Sequence, residues 1–272
     1  MLRAAAAGAA MLLFAGEAPA CNEAAPAGTG PSVMLMTGLP LVWGESGPFD
    51  PASRPQASYS KLSEAFDFRP VDVLDAATLA RGRFLFLAQP KRLAPSELVA
   101  VDGWIRKGGR ALILTDPMLT WPSELPLGDI RRPPPAGLLA PLLGHWGLTL
   151  DPPVRAGEVA ARWNGRRVLL DSPGRLRSSG RECIVDEGGW TALCRLGRGT
   201  VRIVADADLM RDALWMSSGA ENPAAVRGWL EEMTGISRTR PVERTWTGGA
   251  LVSALLIAAA GLGLLLRRRR NR

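Results

Sequence analysis

The sequence predicts an α/β protein with an open, mostly parallel sheet, a β-hairpin annex and one C-terminal transmembrane helix. Short runs at 33–36, 84–88 and 111–115, apolar except for Thr115, are typical of strands buried on both faces of a parallel sheet. The Asn-Gly pair at 164–165 lies between two strand-like segments, which is a strong signature of a hairpin. Residues 248–266 contain no charged side chain over a length that can cross a bilayer.

The first half of the chain alternates predicted strands with predicted helices. We expect a helix over 59–66 and a further short strand over 71–74. Pro95 is expected at the start of a longer helix that ends at Gly108-Gly109. The residues that share one face of this helix are Leu98, Val101, Trp104 and Ile105. The segment 84–115 is therefore a predicted strand–helix–strand unit with a right-handed crossover.

The second half begins with a proline-rich stretch, 117–137, which predicts an irregular path over the surface. A short helix is expected over 138–146, and the Asn-Gly hairpin joins segments 158–163 and 166–171. A buried strand is expected over 200–205. The last helix of the domain is predicted over 222–233, with Asn222 as its N-cap and Pro223 at its first position.

A disulfide is predicted between Cys183 and Cys194. These cysteines lie at equal distances from the pair Gly188-Gly189, so a two-residue turn there would place them directly opposite on neighbouring strands. Opposed residues lie within disulfide reach, and an exported domain would meet an oxidising compartment. The alternative is a pair of free thiols on a cytosolic hairpin. With one histidine and no Cys-x-x-Cys motif, the sequence offers no metal site.

The C-terminal segments predict the topology. Residues 248–266 would form a helix of about 28 Å, close to the thickness of a hydrocarbon core of about 30 Å. The basic tail 267–272 should stay in the cytoplasm, because clustered arginines are costly to translocate. The α/β domain, 32–236, and the linker, 237–247, would then be extracytoplasmic, and the protein would be a single-pass inner-membrane protein of a bacterium. The alternative for 248–266 is a buried core helix.

The N-terminal segment has the layout of a secretory signal. Residues 1–20 contain Arg3, an apolar run and the small residues Ala18-Pro19-Ala20 before a cleavage site. An uncleaved N-terminal anchor is the alternative. Cys21 follows at the position of the cysteine in a bacterial lipoprotein box, so lipidation of Cys21 stays open. Residues 21–31 are rich in Ala, Pro and Gly and predict a tether.

The charge of the chain does not indicate a nucleic-acid partner. The formal net charge is +7, but five of the arginines lie in the tail 267–272, so residues 21–246 carry +2. A charge this small on a domain of this size gives no electrostatic footprint for nucleic acid. The membrane is the partner that the sequence indicates directly.

Acidic side chains follow several of the predicted strands. Ligands of open parallel sheets bind beyond the carboxyl ends of the strands, where Glu45, Asp116, Asp206 and Asp208 are expected to converge. Trp43 lies in the same loop as Glu45, and we include it in this candidate ligand-binding crevice. Collected carboxylates could hold a cation or act as acid and base. The alternative is that they are turn and cap residues.

The sequence provides no recognisable catalytic residue and implies no cofactor. It contains no Gly-x-Ser-x-Gly motif and no phosphate-binding Gly-x-x-x-x-Gly-Lys loop. The single histidine, His145, is expected to be a packed residue at a helix end. We therefore predict that the protein is not an enzyme.

Three segments carry a resemblance to a known family: 39–45 (LPLVWGE), 97–116 (ELVAVDGWIRKGGRALILTD) and 199–229 (GTVRIVADADLM to NPAAVRGW). Their pattern resembles a membrane-anchored domain family of unknown function, related to auxiliary proteins of gliding-motility-type ABC transporters. The resemblance implies the open, flavodoxin-like sheet of class I glutamine amidotransferases without their catalytic cysteine. Here Thr115-Asp116 stands at the position of the nucleophile elbow.

Three hypotheses about function follow. The first is a non-enzymatic periplasmic accessory or binding domain of an ABC-type transport or envelope system, with an ABC permease or ATPase among its partners. The second is a degenerate or unrecognised hydrolase that uses Glu45, Asp116 and Asp206. The third is a purely structural envelope protein without a specific partner.

Overall fold

A seven-stranded sheet forms the centre of the protein, which we describe for residues 30–236 from a computed structural model. The predicted signal segment 1–20, Cys21 with most of the tether 21–31, the linker 237–247, the transmembrane helix 248–266 and the tail 267–272 lie outside the described residues. Within 30–236, no helix is long and apolar enough to cross a membrane.

Eleven strands and six α-helices are present in the described part of the chain. The strands are β1 (Ser32–Thr37), β2 (Asp67–Pro70), β3 (Phe84–Ala88), β4 (Arg110–Leu114), β5 (Leu148–Asp151), β6 (Glu158–Trp163), β7 (Arg166–Asp171), β8 (Arg175–Ser178), β9 (Cys183–Val185), β10 (Thr191–Leu196) and β11 (Gly199–Val204). The helices are α1 (Ala57–Ser63), α2 (Ala76–Leu79), α3 (Pro95–Arg106), α4 (Ala140–His145), α5 (Asp212–Trp215) and α6 (Asn222–Thr234), with a 3-10 turn at Asp208–Met210.

The sheet is mostly parallel, as the sequence predicted. Its strand order is β2-β1-β3-β4-β11-β10-β9, and the first five of these strands run parallel. β10 is antiparallel to β11, and β9 is antiparallel to β10. Two further pairs, β5 with β8 and β6 with β7, form separate two-stranded sheets. The carboxyl ends of β4 and β11 therefore lie side by side, although residues 115–198 separate them in sequence.

Alternate residues of each buried strand enter two apolar layers, one on each face of the sheet. In β1, Val33 packs into one layer and Met34 into the other. Trp229 of α6 covers the first layer, and Ile105 of α3 covers the second. Wholly apolar strands are required here because both faces exclude water. The predicted β3–α3–β4 unit is confirmed, with β3 and β4 as parallel neighbours.

The predicted strand at 71–74 is wrong. The strand in this region is β2, which pairs with β1 from Ser32↔Asp67 to Leu35↔Pro70. This register favours burial of Phe68, whose ring lies 6.1 Å from that of Phe66 and 6.2 Å from that of Phe86, measured between centroids. After Pro70 the chain leaves the sheet.

The hairpin of β6 and β7 is confirmed from Glu158↔Asp171 to Trp163↔Arg166. Its turn residues Asn164 and Gly165 have positive φ angles of 47° and 81°, as a two-residue hairpin turn of this type requires.

The disulfide between Cys183 and Cys194 is confirmed, and the two residues are directly opposed on β9 and β10. The connection is longer than the predicted two-residue turn, because β9 ends at Val185 and β10 begins at Thr191. Asp186 stabilises this longer loop, since its carboxylate accepts hydrogen bonds from the backbone N–H groups of Trp190 and Thr191. The register survives because the loop is still centred on Gly188-Gly189.

Candidate functional site

Three of the predicted site residues meet at the carboxyl ends of β4 and β11. Asp116 follows β4, while Asp206 follows β11 and Asp208 begins the 3-10 turn after it. All three are fully buried. We call these residues, together with Asp171 at the end of β7, the aspartate cluster. Parallel neighbours deliver their following loops to one edge of the sheet, which explains the convergence.

Asp116 connects the loops that follow three strands. Its Oδ1 accepts a hydrogen bond from the N–H of Met118 (2.8 Å), and its Oδ2 accepts one from the N–H of Ala207 (3.0 Å). Its own N–H donates to Oε1 of the buried Gln89, which follows β3 (2.7 Å). The carboxylate therefore holds the β4 loop against the β11 loop.

Asp206 connects β11 to the hairpin. Its Oδ1 accepts a hydrogen bond from the N–H of Leu209 (2.7 Å), which closes the 3-10 turn. Its Oδ2 accepts one from the N–H of Asp171 (2.8 Å) at the end of β7. Both oxygens thus receive backbone donors, as in the turn and cap alternative.

Asp208 and Asp171 share the hydroxyl of Thr120. Oδ2 of Asp208 accepts a hydrogen bond from the N–H of Thr120 (2.7 Å), and the Thr120 hydroxyl oxygen lies 2.8 Å from the same atom and 2.9 Å from Oδ2 of Asp171. Arg211 donates from Nη2 to Oδ2 of Asp171 (2.9 Å). Among the described residues, Arg211 is the single cation hydrogen-bonded to the cluster, whereas Oδ1 of the buried Asp208 has no hydrogen-bond partner there.

Burial raises the pKa of three of these carboxyl groups. Desolvation raises the pKa of Asp116 to about 7, against the opposing effect of its backbone donors. Desolvation, followed by repulsion from Asp116, raises the pKa of Asp206 well above its ordinary value. The pKa of Asp208 is also raised by desolvation. The raised pKa values of Asp116, Asp206 and Asp208 therefore favour their protonated forms at pH values where exposed aspartates are fully ionised.

Trp43 and Glu45 lie apart from the cluster, in the loop that follows β1. Oε2 of Glu45 accepts a hydrogen bond from the N–H of Glu124 (3.0 Å), so this side chain fastens the proline-rich segment. The Trp43 side chain is about half exposed, at 49%. Within residues 30–236, no hydrogen bond joins either side chain to the aspartates. The structure thus brings together three of the five predicted site residues.

The arrangement supports structural hydrogen bonding more directly than chemistry on a ligand. The three aspartates have no solvent-accessible surface, and within 30–236 no group of His, Cys, Asp and Glu side chains is placed to hold a metal ion. His145 is the last residue of α4, but its side chain is 60% exposed and lies 3.6 Å from Asp102, so it is not the packed residue that we expected. Ligand binding at the five residues stays a prediction.

Sequence reasoning missed the partners that complete the cluster. One missed residue, Asp171, belongs to the cluster itself. The others form hydrogen bonds with it, and they are Thr120, Arg211 and Gln89. Thr120 lies in the irregular proline-rich segment and Asp171 in the hairpin, and no motif indicates where either would dock. Gln89 carries the one available signal, because a polar residue directly after a buried strand must find partners of its own.

A family model supports the predicted resemblance. Residues 30–162 match the family described as an ABC-type uncharacterized transport system. This match covers just under half of the 272-residue chain, from β1 to β6, and supports a transport auxiliary assignment. No curated protein sequence matches the chain.

Solved structures resemble this chain only at low identity and with TM-scores below 0.5. The N-terminal domain of mmIFT52 is 11% identical, with a TM-score of 0.49 over 74% of this chain and 97% of that one. The cytoplasmic protein STM1381 from Salmonella typhimurium LT2 is 11% identical, with a TM-score of 0.48 over 74% and 99%. The exo-beta-1,4-mannosidase Op5Man5 from Opitutaceae bacterium strain TAV5 is 12% identical, with a TM-score of 0.42 over 74% of this chain, which spans 36% of that enzyme. No conclusion about function follows from these likenesses.

Proposed function

We propose that the protein is a membrane-anchored, non-enzymatic accessory or binding domain of an ABC-type transport or envelope system. The observation that carries this proposal is the match of residues 30–162 to the transport family. In the proposed topology, residues 248–266 span a bacterial inner membrane, the tail 267–272 is cytoplasmic, and the α/β domain is extracytoplasmic, with an ABC permease or its ATPase as partner.

The aspartate cluster supports the non-enzymatic part of the proposal. General acid or base catalysis requires a carboxyl group within hydrogen-bond reach of a substrate. Here the side chains of Asp116 and Asp206 receive backbone N–H donors from neighbouring loops and have no exposed surface. Their contacts account for their burial without a substrate.

Photo-crosslinking of the full chain in its native membrane tests the partner. A photoreactive amino acid would replace one exposed apolar residue at a time, at Phe49, Val99 or Ile184, which are 98%, 73% and 73% exposed. We expect a permease or its ATPase to be captured from at least one position. Capture of cell-wall material alone, or of nothing from any position, would contradict the accessory function.

Reporter fusions to the C-terminus test the topology. A fluorescent protein that matures only in the cytoplasm should be bright when fused after Arg272, whereas alkaline phosphatase, which needs an oxidising compartment, should be inactive there. The opposite pair of results would place the tail 267–272 outside the cytoplasm and overturn the proposed orientation.

A further inference from the structure

A groove of about 700 Å³ lies between the β6–β7 hairpin and the β9–β10 loop. It does not belong to the aspartate cluster. Its apolar part includes Val159, Leu170 and Trp190. Four consecutive residues of β6, 159–162, line it, so the groove runs along the edge of this strand as well as one of its faces.

The backbone of β6 is open on the side away from β7. On β7, the N–H groups of Arg167, Leu169 and Asp171 donate to side chains of other elements, so odd-numbered positions of β7 face away from β6. The even-numbered positions of β7 therefore bond to β6, and the register places their partners at odd-numbered positions of β6. The outward positions are Glu158, Ala160 and Arg162, and their backbone groups pair with no other element among residues 30–236.

The two edges of the seven-stranded sheet are protected in ways that β6 is not. The edge strand β2 has four residues and ends in Pro70, and the edge strand β9 has three residues. Short edge strands and proline discourage pairing with another chain. β6 has six residues without proline and borders a groove that has room for side chains. An open edge of this kind binds an extended peptide as an added strand.

The charges of the groove favour an acidic segment. Arg155, Arg162 and Arg175 line it, and none of them forms an ion pair within residues 30–236. The acidic lining residues are Asp186 and Glu187, and Asp186 already accepts two backbone hydrogen bonds in its own loop. The arginines therefore remain available for carboxylates of a bound segment.

We propose that this groove binds an extended acidic segment of a partner protein, which pairs with the outer edge of β6 as an additional strand. Alternate residues of the segment are apolar and contact the floor formed by Val159, Leu170 and Trp190, while its carboxylates contact the arginines. The inference deepens the accessory function and rests on it for the identity of the partner, whereas the recognition itself rests on the groove.

A synthetic peptide tests the recognition on the full chain in detergent micelles. The probe is a fluorescent peptide of about eight residues with alternating valine and aspartate, long enough to span the six residues of β6. We expect saturable binding, together with slower hydrogen exchange within residues 158–163 that is due to the outward backbone amides of Glu158, Ala160 and Arg162. A valine–lysine peptide of the same length should bind at least about tenfold more weakly. Absence of saturable binding up to about 1 mM, or unchanged exchange at 158–163, would overturn the proposal.

Variants of β6 distinguish backbone pairing from nonspecific binding of the peptide. Ala160→Pro removes an outward N–H group from an exposed edge position and should weaken the peptide by at least about tenfold. Ala160→Val keeps the N–H group, so it should bind the peptide clearly more tightly than Ala160→Pro does. Equal binding by both variants contradicts the strand pairing. If the proline variant does not fold, a valine–aspartate peptide with N-methylated backbone serves instead, and it should not bind.

Arginine variants test the charge, and membrane capture separates the two proposals. Arg162→Glu combined with Arg175→Glu should abolish peptide binding, while Arg92→Glu, at an exposed position outside the groove, should not. Capture of a transport component by the protein but not by Ala160→Pro supports both proposals. Equal capture by both forms overturns the groove as the docking site and leaves the accessory function standing. Peptide binding without any captured transport component supports the groove as a binding site and overturns the accessory function.

Discussion

The side chain of Asn222 forms two hydrogen bonds with the backbone of Leu169, in the way that a neighbouring strand would. The N–H of Leu169 donates to Oδ1, and Nδ2 donates to the carbonyl of Leu169, both over 2.8 Å. Nδ2 also donates to the carbonyl of Leu209 (3.2 Å). We predicted from its position before Pro223 that Asn222 caps α6, and this prediction is wrong. Its side chain instead pairs with the backbone at the edge of β7 that faces away from β6.

Replacing Asn222 should destabilise the domain strongly. Asn222→Ala leaves the buried N–H and carbonyl of Leu169 without partners, which should lower the free energy of unfolding by about 3 kcal/mol in urea titrations. Asn222→Asp keeps an acceptor but loses the donor and buries a charge. Its deficit should shrink as the pH is lowered, because a protonated carboxyl group can donate. A change of less than about 1 kcal/mol for either variant at neutral pH would contradict this role.

Two glycines, Gly199 at the start of β11 and Gly103 in α3, give a test of packing. A Cβ atom at Gly199 would collide with the carbonyl oxygens of Ile105 and Gly109, whereas a Cβ at Gly103 in α3 would meet nothing within 4 Å. Gly199→Ala should therefore cost more than about 3 kcal/mol. Gly103→Ala should stabilise by roughly 0.5–1 kcal/mol, because alanine is the better helix former. Thermal or urea unfolding of the two variants measures the difference, and similar values for both would refute the close approach.

Reduction of the disulfide should weaken the domain moderately. Cys183 and Cys194 are 11 residues apart, and closing a loop of this length contributes about 2–3 kcal/mol in the chain-entropy model. Urea unfolding with and without reductant should show this loss. The double variant Cys183→Ala/Cys194→Ala should have a lower free energy of unfolding even without reductant, and reductant should not change it. If the unaltered protein unfolds at the same urea concentration in both conditions, the cross-link does not contribute to stability.

The stability of the domain should fall as the pH rises from about 4 to 7. Burial raises the pKa of Asp116 from 3.8 to about 7, so the folded state holds a proton that the unfolded chain releases in this interval. Its contribution is complete below about pH 4 and is lost as the pH passes 7, which amounts to roughly 4 kcal/mol. Asp129 does not interfere, because hydrogen bonds from Arg131 lower its pKa to about 2 and its contribution changes only at lower pH.

Asp116→Asn provides the control for this pH dependence. The variant removes one ionisable group while it keeps the size of the side chain, so its free energy of unfolding should vary less between pH 4 and 7 than that of the unaltered protein. Both carboxyl oxygens of the buried Asp116 accept backbone hydrogen bonds, and the amide of asparagine has only one acceptor oxygen. The variant should therefore also be less stable than the unaltered protein at low pH. A stability that rises with pH in the unaltered protein would contradict the raised pKa.

Local sequence patterns correctly predicted the elements that are determined by their own residues. The run at 84–88 and the hairpin around Asn164-Gly165 were located correctly because apolar periodicity and turn residues determine them directly. β2 was misplaced because the more apolar segment 71–74 competes with Asp67–Pro70, and only the packing of Phe68 decides between them. Tertiary contacts of this kind leave no local signal.

The convergence of Asp116, Asp206 and Asp208 was predictable because neighbouring parallel strands end at one edge of the sheet. Their complete burial was not predictable, because it depends on Thr120 and Asp171, which arrive from distant irregular segments. The predicted signal, lipidation, linker and transmembrane segments lie outside the described residues and stay predictions.

The placement of β11 beside β4 has a consequence for the order in which the domain folds as its chain emerges N-terminus first. β1 to β4 can associate once residue 114 has emerged, and the contacts between them are comparatively local. The central pair of β4 and β11 must wait until residues 115–198 have been made, and closing such a long loop slows folding. Until then the backbone edge of β4 that will pair with β11 is open to other chains, and the strand carries the apolar side chains of Leu112 and Leu114. The incompletely delivered chain therefore passes through an aggregation-prone stage that ends only when β11 inserts.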